Sequence, residues 1–404
     1  MKKLFFALFA SSSLLAQAQL SPAITSWVIN PDTTLAANRG YGNIPSNVLK
    51  VQYSANYVYV SADCIPGYSI GPWTGNPNTP ANQNFVYKIP LAPQKNTGTA
   101  TTVGLGHIGI WTNGVSIFNV SDAMSYNNAG VWNRNAYYWE GVGFDGCLGH
   151  PQQQGEYHHH VSPKCLYNQT DSTHHSPIIG YSFDGFPVYG AYAYTDTNGT
   201  GAIKRMKSSY ILTPATTRTN GPVVNAQYPL GCFIEDFTYT AGSGDLDASN
   251  GRWCKTPEYP NGTYAYFVTI DASLTPTFPY TYYGHYYGVV PAGSTGPQSG
   301  HVTITESTTA YTVTTGVSDV HEAISCDIMP NPTQDYVYIY MGNNSPTNVT
   351  GKLYNTACQL LQTIDFMQPS IAYSLDLTKY PTGVYMLHLS DGKSEVVKRI
   401  VKEN

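Results

Sequence analysis

The chain has 404 residues, and its 20 Lys and Arg against 25 Asp and Glu leave a net charge of −5. Only 11% of the residues are charged, against about 25% in an ordinary globular domain, so the basic footprint of a nucleic-acid-binding protein is excluded. In place of charge stand 34 Tyr, 13 Phe, 6 Trp, 37 Gly and 27 Pro, a mixture that favours strands and turns over helices.

At the N-terminus, Lys2 and Lys3 precede a short apolar run and the small-residue triplet Ala16, Gln17, Ala18. This is the layout of a secretory signal peptide over residues 1–18, cut before Gln19. No later stretch offers the roughly 20 consecutive apolar residues of a membrane-spanning helix. The sequence therefore predicts an exported chain with no transmembrane span. Its seven cysteines, Cys64, Cys147, Cys165, Cys232, Cys254, Cys326 and Cys358, meet an oxidising compartment in which disulfides persist.

From Val51 to about Tyr287 short strand-like runs alternate with turns, among them VQYSANYVYVSA, VGLGHIGIWTNGVSIFNV with its Asn113-Gly114 hairpin signal, and TYAYFVTI. The expected fold class is all-β: an irregular, loop-rich β domain over 19–290, with a core at about 50–288, followed by a small Ig-like β-sandwich. Between them, 291–321 is rich in Gly, Ser and Thr and reads as a linker or as edge strands.

Six of the eleven histidines fall between His150 and His175. In a strand, side chains alternate between faces, so His158 and His160 share one face while Tyr157 and His159 share the other. Two imidazoles at i and i+2 can converge on one ion, and neutral imidazole suits a transition metal such as copper or zinc. The expected ligand set is His150, His158, His160 and His175, with Asp184 or Asp145 as a further ligand or an acceptor behind one. The competing reading is a metal-free network of histidines and tyrosines. His159 and His174 read as solvent-facing, and His107, alone in an apolar run, as a core residue. Cys147 and Cys165 bracket the segment and are expected to pair. Cys232 and Cys254, which flank GDLDASNGR, form the second expected disulfide and leave Cys64 odd. GDLDASNGR itself reads as a turn held by Asp247 and Arg252. No Gly-x-Ser-x-Gly elbow, HExxH helix, phosphate loop or dinucleotide fingerprint occurs. Spacing therefore names no catalytic residue and leaves open whether the domain is an enzyme.

This centre resembles the YHYH-domain family. The resemblance runs through Asp145, Cys147, Gly149 and His150, then Gly155, Tyr157, His158, His160 and Cys165, then His175, Ser176, Pro177, Gly180, Asp184, Gly185, Pro187, Tyr189 and Gly190. It continues in Gly244 to Asp247, Asn250 to Arg252, Thr256 to Thr269 and the segment near Phe278. The family's second motif tyrosine is His159 here. The resemblance implies no defined reaction.

The last eighty residues read as a small sandwich and resemble the type A sorting domain of the type IX (Por) secretion system. The matching residues are Pro330, Asn331 and Pro332, Gly351 to Leu353, Leu375 to Leu377, Pro381, Gly383, Val384 and Tyr385, and the basic ending Val397 to Lys402. This resemblance, over 322–404, implies the type IX machinery as a partner and a secreted protein or one held at the outer cell surface. A surface glycan, met by Tyr and Trp faces, is the other expected partner if the histidines hold no metal.

Overall fold

The computed structural model describes residues 20–296, 299–312, 324, 326–341, 349–357, 359–366, 372–392 and 394–403. The expected signal peptide and Cys358 lie outside them. The chain is almost wholly β and divides into two units, Met1–Val313 and Thr314–Asn404.

In the first unit an antiparallel four-stranded sheet runs in the order Thr309–Tyr311, Val48–Tyr53, Tyr57–Ala62, Phe85–Pro90. The stretch 291–321 thus supplies an edge strand, Thr309–Tyr311, to this unit. Phe85–Pro90 alternates buried and half-buried side chains, the pattern of a strand with one face on a core. Its apolar face, with Val48, Val51, Val58 and Val60, shares one hydrophobic cluster with Ile108, Ile110, Ile117, Tyr181 and Val188 of a second sheet.

That second sheet is mixed and has eight strands, ordered Gly251–Cys254, Thr263–Phe267, Pro187–Tyr189, Ile178–Ser182, His107–Trp111, Ser116–Phe118, Tyr157–His159, His150–Pro151. Every residue of His107–Trp111, Ile178–Ser182 and Thr263–Phe267 is buried, so these middle strands are covered on both faces. The histidine motif sits at one edge of this sheet.

The second unit is a sandwich of three strands, Cys326–Met329, Tyr336–Met341 and Ala372–Asp376, and four, Leu360–Phe366, Val349–Asn355, Gly383–Ser390 and Glu395–Lys402. Its core gathers Val337, Ile339, Leu353, Leu375, Leu387 and Ile400 from both sheets.

Cys147 and Cys165 are bonded, 18 residues apart in sequence. The second expected disulfide is not made: Cys232 and Cys254 are both buried and free. Their surroundings differ. Cys232 lies against Arg218, whose guanidinium is held by Asp236 at 2.7 Å, whereas Cys254 ends a strand paired with Thr263. Closeness in a turn-rich sequence did not translate into facing side chains. Cys64 is also free and donates to the Tyr157 carbonyl at 3.1 Å.

Closing an 18-residue loop stabilises a fold by about 3 kcal/mol in the chain-entropy treatment. Cys165→Ser is therefore expected to lower unfolding free energy by about that amount in urea titrations, with Cys232 and Cys254 alkylated on denaturation without reductant. A peptide map linking Cys232 to Cys254 would contradict the assignment.

Candidate metal centre

Three histidines meet at the sheet edge because strand alternation and register agree. Tyr157–His159 runs parallel to Ser116–Phe118 on one side and antiparallel to His150–Pro151 on the other, with His150 directly opposite His158. Directly opposed residues share a face, and His160 follows at i+2 on that face. The result is a compact set. His158 Nε2 lies 3.1 Å from His150 Nε2 and 3.0 Å from His160 Nε2, and one nitrogen from each ring lies within 4.8 Å of the others.

Which nitrogens carry hydrogen follows from their outer partners. His158 Nδ1 lies 3.0 Å from the Glu156 carbonyl, and His160 Nδ1 bonds the Asn119 carbonyl. A carbonyl only accepts, so both Nδ1 atoms are protonated, and in its neutral form each ring turns a bare Nε2 inward. Glu140 adds a carboxylate to the same point: its Oε2 is 3.1 Å from His160 Nε2 and 3.6 Å from His150 Nε2. Glu140 caps the C-terminal end of the short helix Ala136–Trp139, and nothing in its sequence spacing tied it to the histidines.

The walls are apolar. The Phe118 ring stacks on His158 with centroids 3.7 Å apart, and the Phe144 edge meets His150 at 4.7 Å. Burial, with the nearby His160 charge adding, brings His150 down to about 4 against a pull upward from Glu140. Burial likewise drives His158 well below the ordinary histidine range. For Glu140 the upward push of burial is outweighed by the hydrogen bond and charge of His160, and its carboxyl sits below its usual range. The centre opens into a cleft of about 810 Å³, within the size range of small-molecule sites.

The remaining expected site residues lie elsewhere. His175 is not part of the histidine set; its ring lies between Tyr189 and Tyr194 and its Nδ1 donates to the Ser176 carbonyl at 2.8 Å. Asp184 is fully buried and accepts from the Tyr266 hydroxyl at 2.6 Å and the Gly288 amide at 2.8 Å, so it anchors a turn. Asp145 accepts from the amides of Gly71, Cys147 and Gly149 and from the Tyr157 hydroxyl. It fixes the bend that leads into His150 without touching an imidazole of the set. His159, read as solvent-facing, is fully buried between Tyr157 and Trp111, because the face opposite the cleft is covered by the interior. His174 is exposed, and His107 is buried with Nδ1 on Glu156 at 2.8 Å. Asp247 holds its turn through Ser249, Gly251 and Tyr264, while Arg252 reaches the Tyr194 carbonyl instead.

A histidine with a folded pKa below its unfolded value leaves both states neutral above about pH 6.5. Below that, the unfolded chain takes up protons that the folded chain refuses, so stability falls as pH drops. The shift of His150 to about 4 corresponds to about 3 kcal/mol across the window. Urea midpoints of chelator-treated protein are expected to fall steeply between pH 6.5 and 4. A flat profile there would mean that the imidazoles charge freely in the folded state.

Comparison with known families gives two matches: residues 86–282 match the family described as YHYH protein, and residues 327–403 match the secretion system C-terminal sorting domain. No curated protein matches the chain. No helix of the described residues is long and apolar enough to cross a membrane. The sorting domain marks the protein as secreted or attached at the outer cell surface. The chain thus carries a YHYH-family domain, which holds the histidine centre, and a C-terminal secretion sorting domain.

Proposed function

We propose that the YHYH domain is an exported metal-binding module that holds one transition ion, zinc or copper, on His150, His158 and His160, with Glu140 as the adjoining carboxylate. The observation that carries this reading is the facing pair of bare nitrogens, His158 Nε2 and His160 Nε2, 3.0 Å apart. With both Nδ1 atoms committed to carbonyls, the neutral rings turn two lone pairs toward each other, an arrangement suited to a cation bound between them. Ligands about 2.0–2.1 Å from a tetrahedral zinc stand about 3.3 Å from one another. The separations of 3.0 and 3.1 Å among the imidazoles and of 3.1 Å to Glu140 lie close to that spacing. Carbonyl partners behind the rings orient them as such partners do in known metal sites.

The glycan reading is favoured by a different place. A second cleft of about 1040 Å³ is lined by Tyr137, Tyr138, Tyr210, Phe237, Phe278 and Tyr280, and a sugar would seat on those rings, not on the imidazoles.

Calorimetric titration of the untagged protein with zinc and copper is expected to give one site. His158→Ala or His160→Ala should abolish it, and Glu140→Gln should weaken it about 10- to 100-fold. His159→Phe should leave it nearly intact, since His159 packs on the other face. Stoichiometric binding that survives both alanine variants would overturn the reading. For the tail, a chain lacking 322–404 is expected to fold and to remain in the periplasm of its host. Normal extracellular yield of that truncation would show that residues 322–404 are not the export signal.

A further inference from the structure

The cleft above the imidazoles holds a second carboxylate that metal binding leaves unused. Strand Ser121–Ser125 pairs with Asn133–Asn135 only at its ends, Ser121 with Asn135 and Ser125 with Asn133. Three residues, Asp122, Ala123 and Met124, therefore stand opposite Arg134 alone. The excess is absorbed as a bulge in which Ala123 takes φ +66°, a left-handed conformation that disfavours a residue with a Cβ. Bulges of this kind re-aim side chains and gather beside active sites.

Here the bulge turns Asp122 inward. Its side chain is 4% exposed, while Met124 two residues on is 45% exposed. Asp122 lines the same cleft as Glu140 and the three histidines. Its Oδ1 accepts from the Met124 amide at 2.8 Å, and its Oδ2 makes no hydrogen bond among the described residues. Arg134 stays 3.7 Å away and lies over the Trp139 ring at 4.4 Å. Burial above all raises the Asp122 carboxyl to about 6, which suits a group that takes up and returns a proton near neutral pH.

The lining also selects a substrate class. Asp122 and Glu140 face the cleft together with the amides of Asn76, Asn78 and Gln152–Gln154, and among the described residues no Lys or Arg lines it. Arg134 is turned to Asp122 and the Trp139 ring, so beside the ion a phosphate or carboxylate group would meet acidic side chains, while a neutral group would find amide donors and acceptors.

We propose that this cleft hydrolyses a neutral ester or amide, with Asp122 as the proton-transfer residue. The inference rests on the metal reading and extends it from binding to chemistry. The ion supplies a Lewis acid for the substrate carbonyl oxygen. Water's oxygen bonds the carbonyl carbon as one of its protons passes to Asp122. The bond from that carbon to the leaving oxygen or nitrogen then breaks, and Asp122 returns the proton to the leaving group. One water is consumed, an acid and an alcohol or amine are formed, and Asp122 ends in its starting state.

The test uses the untagged full chain loaded with zinc, assayed on 4-methylumbelliferyl acetate and 4-methylumbelliferyl phosphate, with zinc affinity measured separately by chelator competition. The acetate should be turned over and the phosphate should not. Asp122→Asn should lose about 100-fold or more in kcat with zinc affinity and melting temperature unchanged, and Asp122→Glu should recover part of the loss. If the wild type fails to bind zinc, the metal reading fails and this one with it. If zinc binds normally but the acetate is untouched, or Asp122→Asn turns over at the wild-type rate, the hydrolytic inference alone is overturned. Loss of zinc affinity in Asp122→Asn would make Asp122 part of the metal site and overturn its catalytic role. Phosphate turnover matching acetate would overturn the substrate class.

Discussion

The hydrogen bonds from His158 Nδ1 to the Glu156 carbonyl and from His160 Nδ1 to the Asn119 carbonyl decide what the cleft is. They fix two tautomers and so turn two lone pairs toward one point. The carbonyls are themselves held firmly. The Glu156 carboxylate is anchored in the interior by Ser116 and His107. The Asn119 amide donates to the carbonyls of Val103 and Gly104 at 2.9 and 2.8 Å. These acceptors keep both Nδ1 protons outward and leave the inward nitrogens to a shared proton or a bound ion.

The scarcity of charge follows from the way this domain builds its interior. Its largest fully buried side chains are mostly tyrosines, among them Tyr157, Tyr189, Tyr264 and Tyr266, and a buried hydroxyl needs a partner. Acidic residues supply it. Asp145 serves Tyr157, Asp184 serves Tyr266, Asp247 serves Tyr264 and Glu258 serves Tyr189. The first three also collect backbone amides at turns. Asp145 and Asp184, which look like ligands when read beside the histidines, are thus committed as tyrosine acceptors. The carboxylates left over for the cleft are Glu140 and Asp122, delivered by a helix end and a bulge.

What was legible in the sequence were the features set by local period. Alternating runs gave an all-β chain, the change of character near residue 322 gave a separate sandwich, and a period of two put His158 and His160 on one face. His150 depends on the register of an edge pairing, which no local signal fixes, and it entered the set only because it lay nearby in the chain. Glu140 and Asp122 arrive through long-range contacts and could not be read at all. His159 was misread because alternation states which face a side chain takes but not what covers that face. The pairing of Cys232 with Cys254 failed for the same reason, since spacing measures chain length and not direction.

The departure at position 159 gains meaning from this two-faced strand. Tyr157 and His159 point into the interior, and the space there is tight, since a Cβ at Gly149 would strike both the Tyr157 hydroxyl and the His159 ring. Gly149 immediately precedes His150. The close approach that packs the inner face therefore also sets the distance between His150 and His158 on the outer face. An imidazole at 159 is smaller than a phenol and lies T-shaped to the Trp111 ring, 6.4 Å away. The substitution alters the filling behind the strand while leaving the alternation that aims His158 and His160 untouched. The inner face is thus shaped by packed volume, whereas His158 and His160 on the outer face are bound by the direction of a single nitrogen.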